Sequence, residues 1–466
     1  LLLHRGVFPP SRLDLPEGAS TFLIDGPRWL FLAILVYAPW AYGCTPRPAW
    51  EALEILLFAA SSLWFLGWTV RDDRPAIHPV SVALAYLLLL QGWFMAANAR
   101  FHHDMEKHAF NPVTPLLSWA PGTVDAEASI TTMLRITALL MAFFVASDMA
   151  ARPRWRQRIW WTAGLTGLSI ILLGLLQKAT DAQMIFWEYR NTTSQFFATY
   201  YYHGNAGSYI NLVFPLVAGL AVLFICDRNA HARRALWIAT AFLFMAAAAV
   251  NFSRSGQVIT FLLLIVWLFV AANELRTPGL LPGRALTVAY VGIAAAALAG
   301  LIIFSGWQRA FEKWKILQEQ VNGENPRLLA LRAIRRMIPD AGWWGFGPGT
   351  FELAFPHYTQ SLNRAIAGIW RYAHNDYLQT ILEWGWIGAA LWAVFIFGGL
   401  AKCFAARGLP RADRLLLIGA GLALTGAAVH ALIEFPFQIA SLQLYIVTYL
   451  AMGWGSGKWL IRQKET

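Results

Sequence analysis

The sequence predicts an all-α polytopic membrane protein of about twelve transmembrane helices with one large outer loop, and three observations carry that prediction. Hydrophobic residues make up 58% of the 466 positions and charged residues only 14%, with 23 tryptophans and a mean hydropathy of +0.48. That balance belongs to a membrane protein rather than a soluble one. Apolar runs near the ~20 residues that a helix needs to cross a bilayer recur along the whole chain. A polar segment, 306–376, interrupts them late and carries nine Lys/Arg.

In chain order, residues 1–28 read as a cytoplasmic tail. Nine spans follow within 29–305, near 29–43, 51–70, 77–97, 130–149, 158–177, 207–225, 235–251, 256–273 and 286–305. The segment 306–376 is the large loop. Spans near 377–401, 414–432 and 439–457 occupy 377–457, and 458–466 forms a second tail. Short connections bearing Arg71 and Arg74, Arg152 to Arg158, Arg228 to Arg234, Arg276 and Arg284, and Lys402 to Arg414 alternate with arginine-poor ones, the long 306–376 loop excepted. The positive-inside rule, which long loops largely escape, makes these basic connections and both tails cytoplasmic. The loops 44–50, 98–129, 178–206, 252–255, 306–376 and 433–438 then face the periplasm. The three cysteines lie on opposite sides of the membrane and offer no disulfide framework. A net charge of +11 without a compact basic domain argues against nucleic acid.

The outer segments hold the candidate chemistry. Asn325 and Pro326 open a helix that Pro339 is expected to close. Helical spacing puts Arg327, Leu331, Ile334 and Ile338 on one face, with Arg332, Arg335 and Arg336 elsewhere. An arginine on a buried-facing stripe needs an anion or a salt bridge. The run Gly345-Phe-Gly-Pro-Gly-Thr-Phe351 is no dinucleotide or P-loop fingerprint. Its glycines, Gly347 and Gly349 among them, fit either a tight turn or a phosphate nest.

His374 stands where the large loop re-enters the tenth span, at a helix N-terminus that favours a neutral imidazole. Asn375, Asp376, Gln379 and Glu383 continue as a polar stripe, which in a membrane faces a cavity or another helix. Arg254 lies in the short turn Asn251-Phe-Ser-Arg-Ser-Gly256, either an interfacial anchor or an anion site. His203 and Asn205 lead into the sixth span, with Asn205 either a cap or a ligand group. The tyrosines at 200–202 suit an aromatic belt. His430 and Glu434 either line the cavity or bond each other. His102, His103, Asp104, Glu106 and His108 match no standard metal spacing.

Taken together, Ser253-Arg254-Ser255-Gly256, Arg327 heading Arg-Leu-Leu-Ala-Leu-Arg-Ala-Ile334, Gly345–Phe351 and His374-Asn-Asp-Tyr-Leu-Gln with Glu383-Trp-Gly385 resemble the O-antigen ligase superfamily. That superfamily includes the Wzy-type polysaccharide polymerases. Tyr202-His-Gly-Asn-Ala206 and Leu212-Val-Phe-Pro215 add to the likeness, which covers roughly residues 200–390. The resemblance implies a fold akin to GT-C glycosyltransferases in the bacterial inner membrane, working without metal or other cofactor. It implies a donor glycan on undecaprenyl pyrophosphate and an acceptor that is lipid A-core or another glycan. By motif, His374 is the catalytic histidine and Arg254 and Arg327 bind the donor pyrophosphate, with His203, Asn205, Asn375, Asp376, Glu383, Gly347 and Gly349 in support.

The residues favour the same chemistry. A periplasmic site has no nucleotide sugars, so an activated donor arrives on lipid. Pyrophosphate is a good leaving group, two arginines can take up its growing charge, and one displacement inverts the anomeric centre. The first outer loop, Cys44 to Trp50, has no carboxylate, unlike a metal- and acid-dependent oligosaccharyltransferase. The alternatives are a Wzy-type polymerase of the same chemistry and a transporter or flippase. Against transport, the polar groups gather on one outer face and no repeat relates the halves.

Overall fold

The computed structural model describes residues 16–71, 74–104, 106–107, 109–190, 195–225, 227, 229–275, 326–359 and 369–459. Its helices are α1 (Glu17–Trp40), α2 (Arg47–Val70), α3 (Pro79–Ala97), α4 (Ala126–Ala150), α5 (Pro153–Ala179), α6 (His203–Ile225), α7 (His231–Val250), α8 (Arg254–Leu275), α9 (Pro326–Ala341), α10 (Phe351–Thr359), α11 (Asp376–Ala405), α12 (Arg411–His430) and α13 (Ala440–Gly455). Ten of them, α1 to α8, α11 and α12, are long and apolar enough to cross a membrane. The molecule is an all-α polytopic membrane protein. The ninth predicted span, 286–305, lies outside the described residues. The last is a shorter helix than expected, α13, whose residues are all buried except Gln443.

Two antiparallel hairpins depart from the all-helical expectation. β1 (Phe101–Asp104) pairs with β2 (Ala109–Pro112), and the two-residue strands β3 (Met184–Ile185) and β4 (Tyr189–Arg190) pair likewise. Both sit in predicted outer loops, where Asp104 accepts from the backbone N–H groups of Glu106 and Lys107 and so tightens the first turn.

Helix α6 is the axis of the bundle, with 89% of its apolar window buried inside the protein. Only small residues permit such crowding. A Cβ on Gly207 would lie 2.9 Å from Ser253, and one on Gly256 would lie 3.0 Å from the Gly207 Cα. The starts of α6 and α8 therefore touch nearly backbone to backbone.

Helix α11 breaks at Gly385, where φ is +63° and ψ is −174°. The carbonyls that the break releases are taken up by the glycine loop: Phe346 N–H donates to Leu382 O and Gly347 N–H to Glu383 O. A membrane helix tolerates such a break because another backbone satisfies its free groups. The loop is thereby welded to residues 376–384, the turns that follow His374.

Helix α9 corrects two expectations. It runs through Pro339 to Ala341 and stops at Gly342, where φ is +58°. Its buried stripe is Leu329, Ala330, Ala333, Ile334, Met337 and Ala341, whereas Leu331 is exposed. The stripe packs on Phe351, Phe355 and Leu382. Arg332, Arg335 and Arg336 are exposed, as the helical spacing predicts.

Candidate active site

The site is built around a carboxylate that the sequence left undecided. Glu434 lies in the turn between α12 and α13, with its side chain only 8% exposed. Three groups converge on it. His374 Nδ1 is 3.1 Å from Oε2, the Tyr202 hydroxyl donates to Oε1 at 2.9 Å, and Arg327 Nη2 donates to Oε1 at 3.3 Å. Arg327 also donates to the Tyr202 oxygen at 3.3 Å. Burial alone would raise the Glu434 carboxyl, but the His374 hydrogen bond, the Arg327 charge and the Tyr202 hydroxyl outweigh it and hold it below the usual range. Burial, then the charge of Glu434, push the Tyr202 phenol well up, so it remains a donor.

An ionised Glu434 decides the imidazole tautomer. Nδ1 carries the proton toward the carboxylate, leaving the Nε2 lone pair on the far side of the ring. Among the described residues Nε2 has no hydrogen-bond partner. The ring is wedged edge-on against Phe435 at 4.8 Å and Trp370 at 5.5 Å, and its backbone is left-handed with φ +50°. An oriented imidazole with one bare nitrogen is the arrangement of a general base.

Neighbouring stripe residues hold this histidine in place. Asn375 caps α11 by accepting from Leu378 N–H at 3.0 Å and donates to Leu432 O at 2.9 Å. Asp376, fully buried, accepts from Phe437 N–H and from the Gln438 amide, while its own N–H donates to Ala431 O. These bonds staple the start of α11 to the turn that bears Glu434.

The glycine run is a nest for a hydrogen-bond acceptor, but that acceptor is a carboxyl group of the protein itself. Glu383 Oε2 accepts from Gly349 N–H at 3.0 Å, and Oε1 accepts from Phe351 N–H at 3.3 Å and from the Gln379 amide at 3.1 Å. Gly347 and Gly349 take φ of +114° and +75°, and a Cβ on either would lie 2.0 Å from a threonine hydroxyl, Thr123 or Thr132. They are glycines because α4 and the loop before it press against them. These contacts, with those of Glu383, shape the loop.

Arg254 opens α8, whose first turn is capped by Ser253 Oγ accepting from Gly256 N–H at 3.1 Å. Among the described residues Arg254 has no hydrogen bond or ion pair. The next residue, Ser255, bonds His430 Nε2 at 2.9 Å, and His430 lies one turn before Glu434. His430 and Glu434 therefore do not bond each other through their side chains. His203 opens α6, and its carbonyl accepts from the Asn251 amide at 3.1 Å. Asn205 is the third residue of that helix and buried, so it is not the cap. The carbonyl of Tyr202 instead accepts from the N–H groups of Asn205 and Ala206.

In the loop 98–129, His102 Nδ1 is 3.6 Å from Asp125, while the His103 ring packs on Phe110. A cavity of about 110 Å³ lies beside Thr380 and Glu383, walled by Ile136, Phe395 and Leu450. None of His374, Arg254 and Arg327 lines it.

Sequence reasoning missed Tyr202 as a site residue, assigning its tyrosine cluster to the membrane interface. Its signal was its place immediately before His203, at the same helix entrance as the suspected polar groups. Glu434 carried a weaker one, a lone carboxylate in an outer turn of six residues, 433–438.

The fold and this cluster define a polytopic membrane protein with a carboxylate-oriented histidine and an arginine beside it. Residues 238–393 match the family model Wzy_C, described as O-antigen ligase. The matched segment includes Arg254, Arg327, His374 and Glu383. No curated protein matched the chain.

Proposed function

We propose that this protein is a metal-independent inverting glycosyltransferase. In this reading it moves a glycan from undecaprenyl pyrophosphate to a lipid A-core acceptor at the periplasmic face of the inner membrane. The observation that carries the reading is the clamp at Glu434, which gathers His374, Arg327 and Tyr202 from three distant parts of the chain. His374 Nε2 takes the proton from the acceptor hydroxyl. The acceptor oxygen attacks the anomeric carbon on the face opposite the leaving group. The bond from that carbon to the pyrophosphate oxygen breaks, and Arg327 and Arg254 take up the charge that develops there. Positioned cations stabilise such charge because they need not reorganise as it forms.

A Wzy-type polymerase would use the same groups, with a second lipid-linked glycan as the acceptor. Purified protein in lipid, given lipid-linked glycan with or without lipid A-core, separates the two. Transfer that requires lipid A-core supports the ligase reading, while glycan ladders formed without it support the polymerase. Flux of lipid-linked glycan across vesicles with no new glycosidic bond would overturn both and revive a transporter.

A further inference from the structure

Among the polar groups that the proposed chemistry leaves unused, His430 is bonded at both ring nitrogens. It is wholly buried at the end of α12. Its Nδ1 lies 2.8 Å from Ser208 Oγ on α6, and its Nε2 lies 2.9 Å from Ser255 Oγ on α8. The direction of each bond can be worked out. Ser208 spends its hydroxyl proton on Gly204 O at 3.1 Å, so its oxygen accepts from His430 Nδ1–H. Nε2 is then the acceptor, and Ser255 donates to it. The imidazole is neutral, with each nitrogen matched to one partner.

We infer that His430 is a positioning residue for Arg254, fixing the first turn of α8 so that this guanidinium faces the same anion as Arg327. Ser255, the residue it grips, directly follows Arg254. Gly207 and Gly256 let α6 and α8 approach closely there, with only the small Ser253 side chain and the Asn251 amide against Gly207, so the serine–histidine–serine bridge sets their register. The backbone of the same turn ties His430 to the clamp: Glu434 N–H donates to His430 O at 2.9 Å. One short segment thus aligns the Arg254 end of the site and the His374–Arg327 end. The inference rests on the proposed role of Arg254 in pyrophosphate binding.

The test measures binding of undecaprenyl pyrophosphate, without any glycan, to the full chain in lipid nanodiscs. Arg254→Ala is the reference. His430→Asn keeps an amide that can donate to Ser208 but nothing that reaches Ser255, and Ser255→Ala cuts the same bond from the other side. Each should weaken binding by roughly tenfold, the scale of one lost hydrogen bond. That loss should vanish when either change is added to Arg254→Ala. His430→Gln, whose longer side chain can still accept from Ser255, should recover most of the affinity. In transfer assays His430→Asn should raise the donor KM and also lower kcat, because a displaced Arg254 takes up less of the leaving group's developing charge, and His430→Gln should restore both.

Should Arg254→Ala weaken binding while His430→Asn and Ser255→Ala bind as wild type, or should their effects add fully to it, the positioning role is refuted and the functional reading stands. Wild-type binding by Arg254→Ala itself would refute that reading of Arg254 and this inference with it.

Discussion

At the scale of the residue, His374 combines an unfavourable backbone with a well-fixed side chain. A left-handed non-glycine residue costs about 1–3 kcal/mol and persists only where its surroundings over-determine it. Here the Asn375 cap, the Asp376 staple and the bond to Glu434 do so. A positioned base contributes about 10²–10⁴-fold, so His374→Ala should lower kcat by that order. His374→Asn, which accommodates the left-handed backbone, should insert and fold normally yet be equally inactive. Wild-type turnover by either variant would remove His374 from the mechanism.

Glu434→Gln makes a separate prediction, since it leaves the base in place but takes away the charge that orients it. Because its folded carboxyl is held below its ordinary value, Glu434 contributes stability that is complete above about pH 4.5, close to a free glutamate's pKa. That contribution is lost as pH falls through the lower folded value. The melting difference between wild type and Glu434→Gln should therefore stay constant through neutral pH and shrink only below the ordinary carboxylate range. Thermal melts in detergent across pH would show it, and a difference already shrinking near pH 6 would contradict the clamp.

Two helices illustrate what the element scale adds. On α9 the buried stripe places Arg327 three and seven residues before Ala330 and Ile334, and so beside the clamp, while Arg332 faces away. Arg327→Ala should weaken donor binding strongly and Arg327→Lys should rescue only in part, because an ammonium lacks the planar fork that meets phosphate in two places. Arg332→Ala should be mild, and donor titrations giving equal losses at both positions would mean that the wrong face was assigned. On α11, a Cβ at Gly385 would lie 2.3 Å from the Trp343 backbone, at a φ that side chains rarely adopt. Gly385→Ala should therefore lower the melting temperature and pull the glycine loop off α11, with protease cutting within 342–350 as the readout.

At the scale of the whole molecule, the turn 430–434 is the hub. It meets α6 and α8 through His430, α11 through the carbonyls of Ala431 and Leu432, and α9 through Glu434. Much of this assembly could be foreseen from the chain. His374 and Arg254 were singled out by their place at the ends of apolar runs, and Arg327 by its place on one face of the helix in the large loop. Eight of the nine spans predicted before the large loop, and the first two after it, correspond to long apolar helices. The roles of Asp376, Glu383, Gly347 and Gly349 were not foreseeable. Their residue types suit a ligand site and a structural staple equally, and only their bonding partners choose between them.

The sequence by itself determined the membrane class, ten of the predicted spans and the connecting segments that hold polar chemistry. Hydropathy, charge and helical spacing are local properties, readable within windows of some twenty residues. Tertiary structure alone decided which polar group meets which. Glu434 joins partners 60, 107 and 232 positions away along the chain. A hydrogen bond depends on distances of about 3 Å in space, and no window of sequence encodes those.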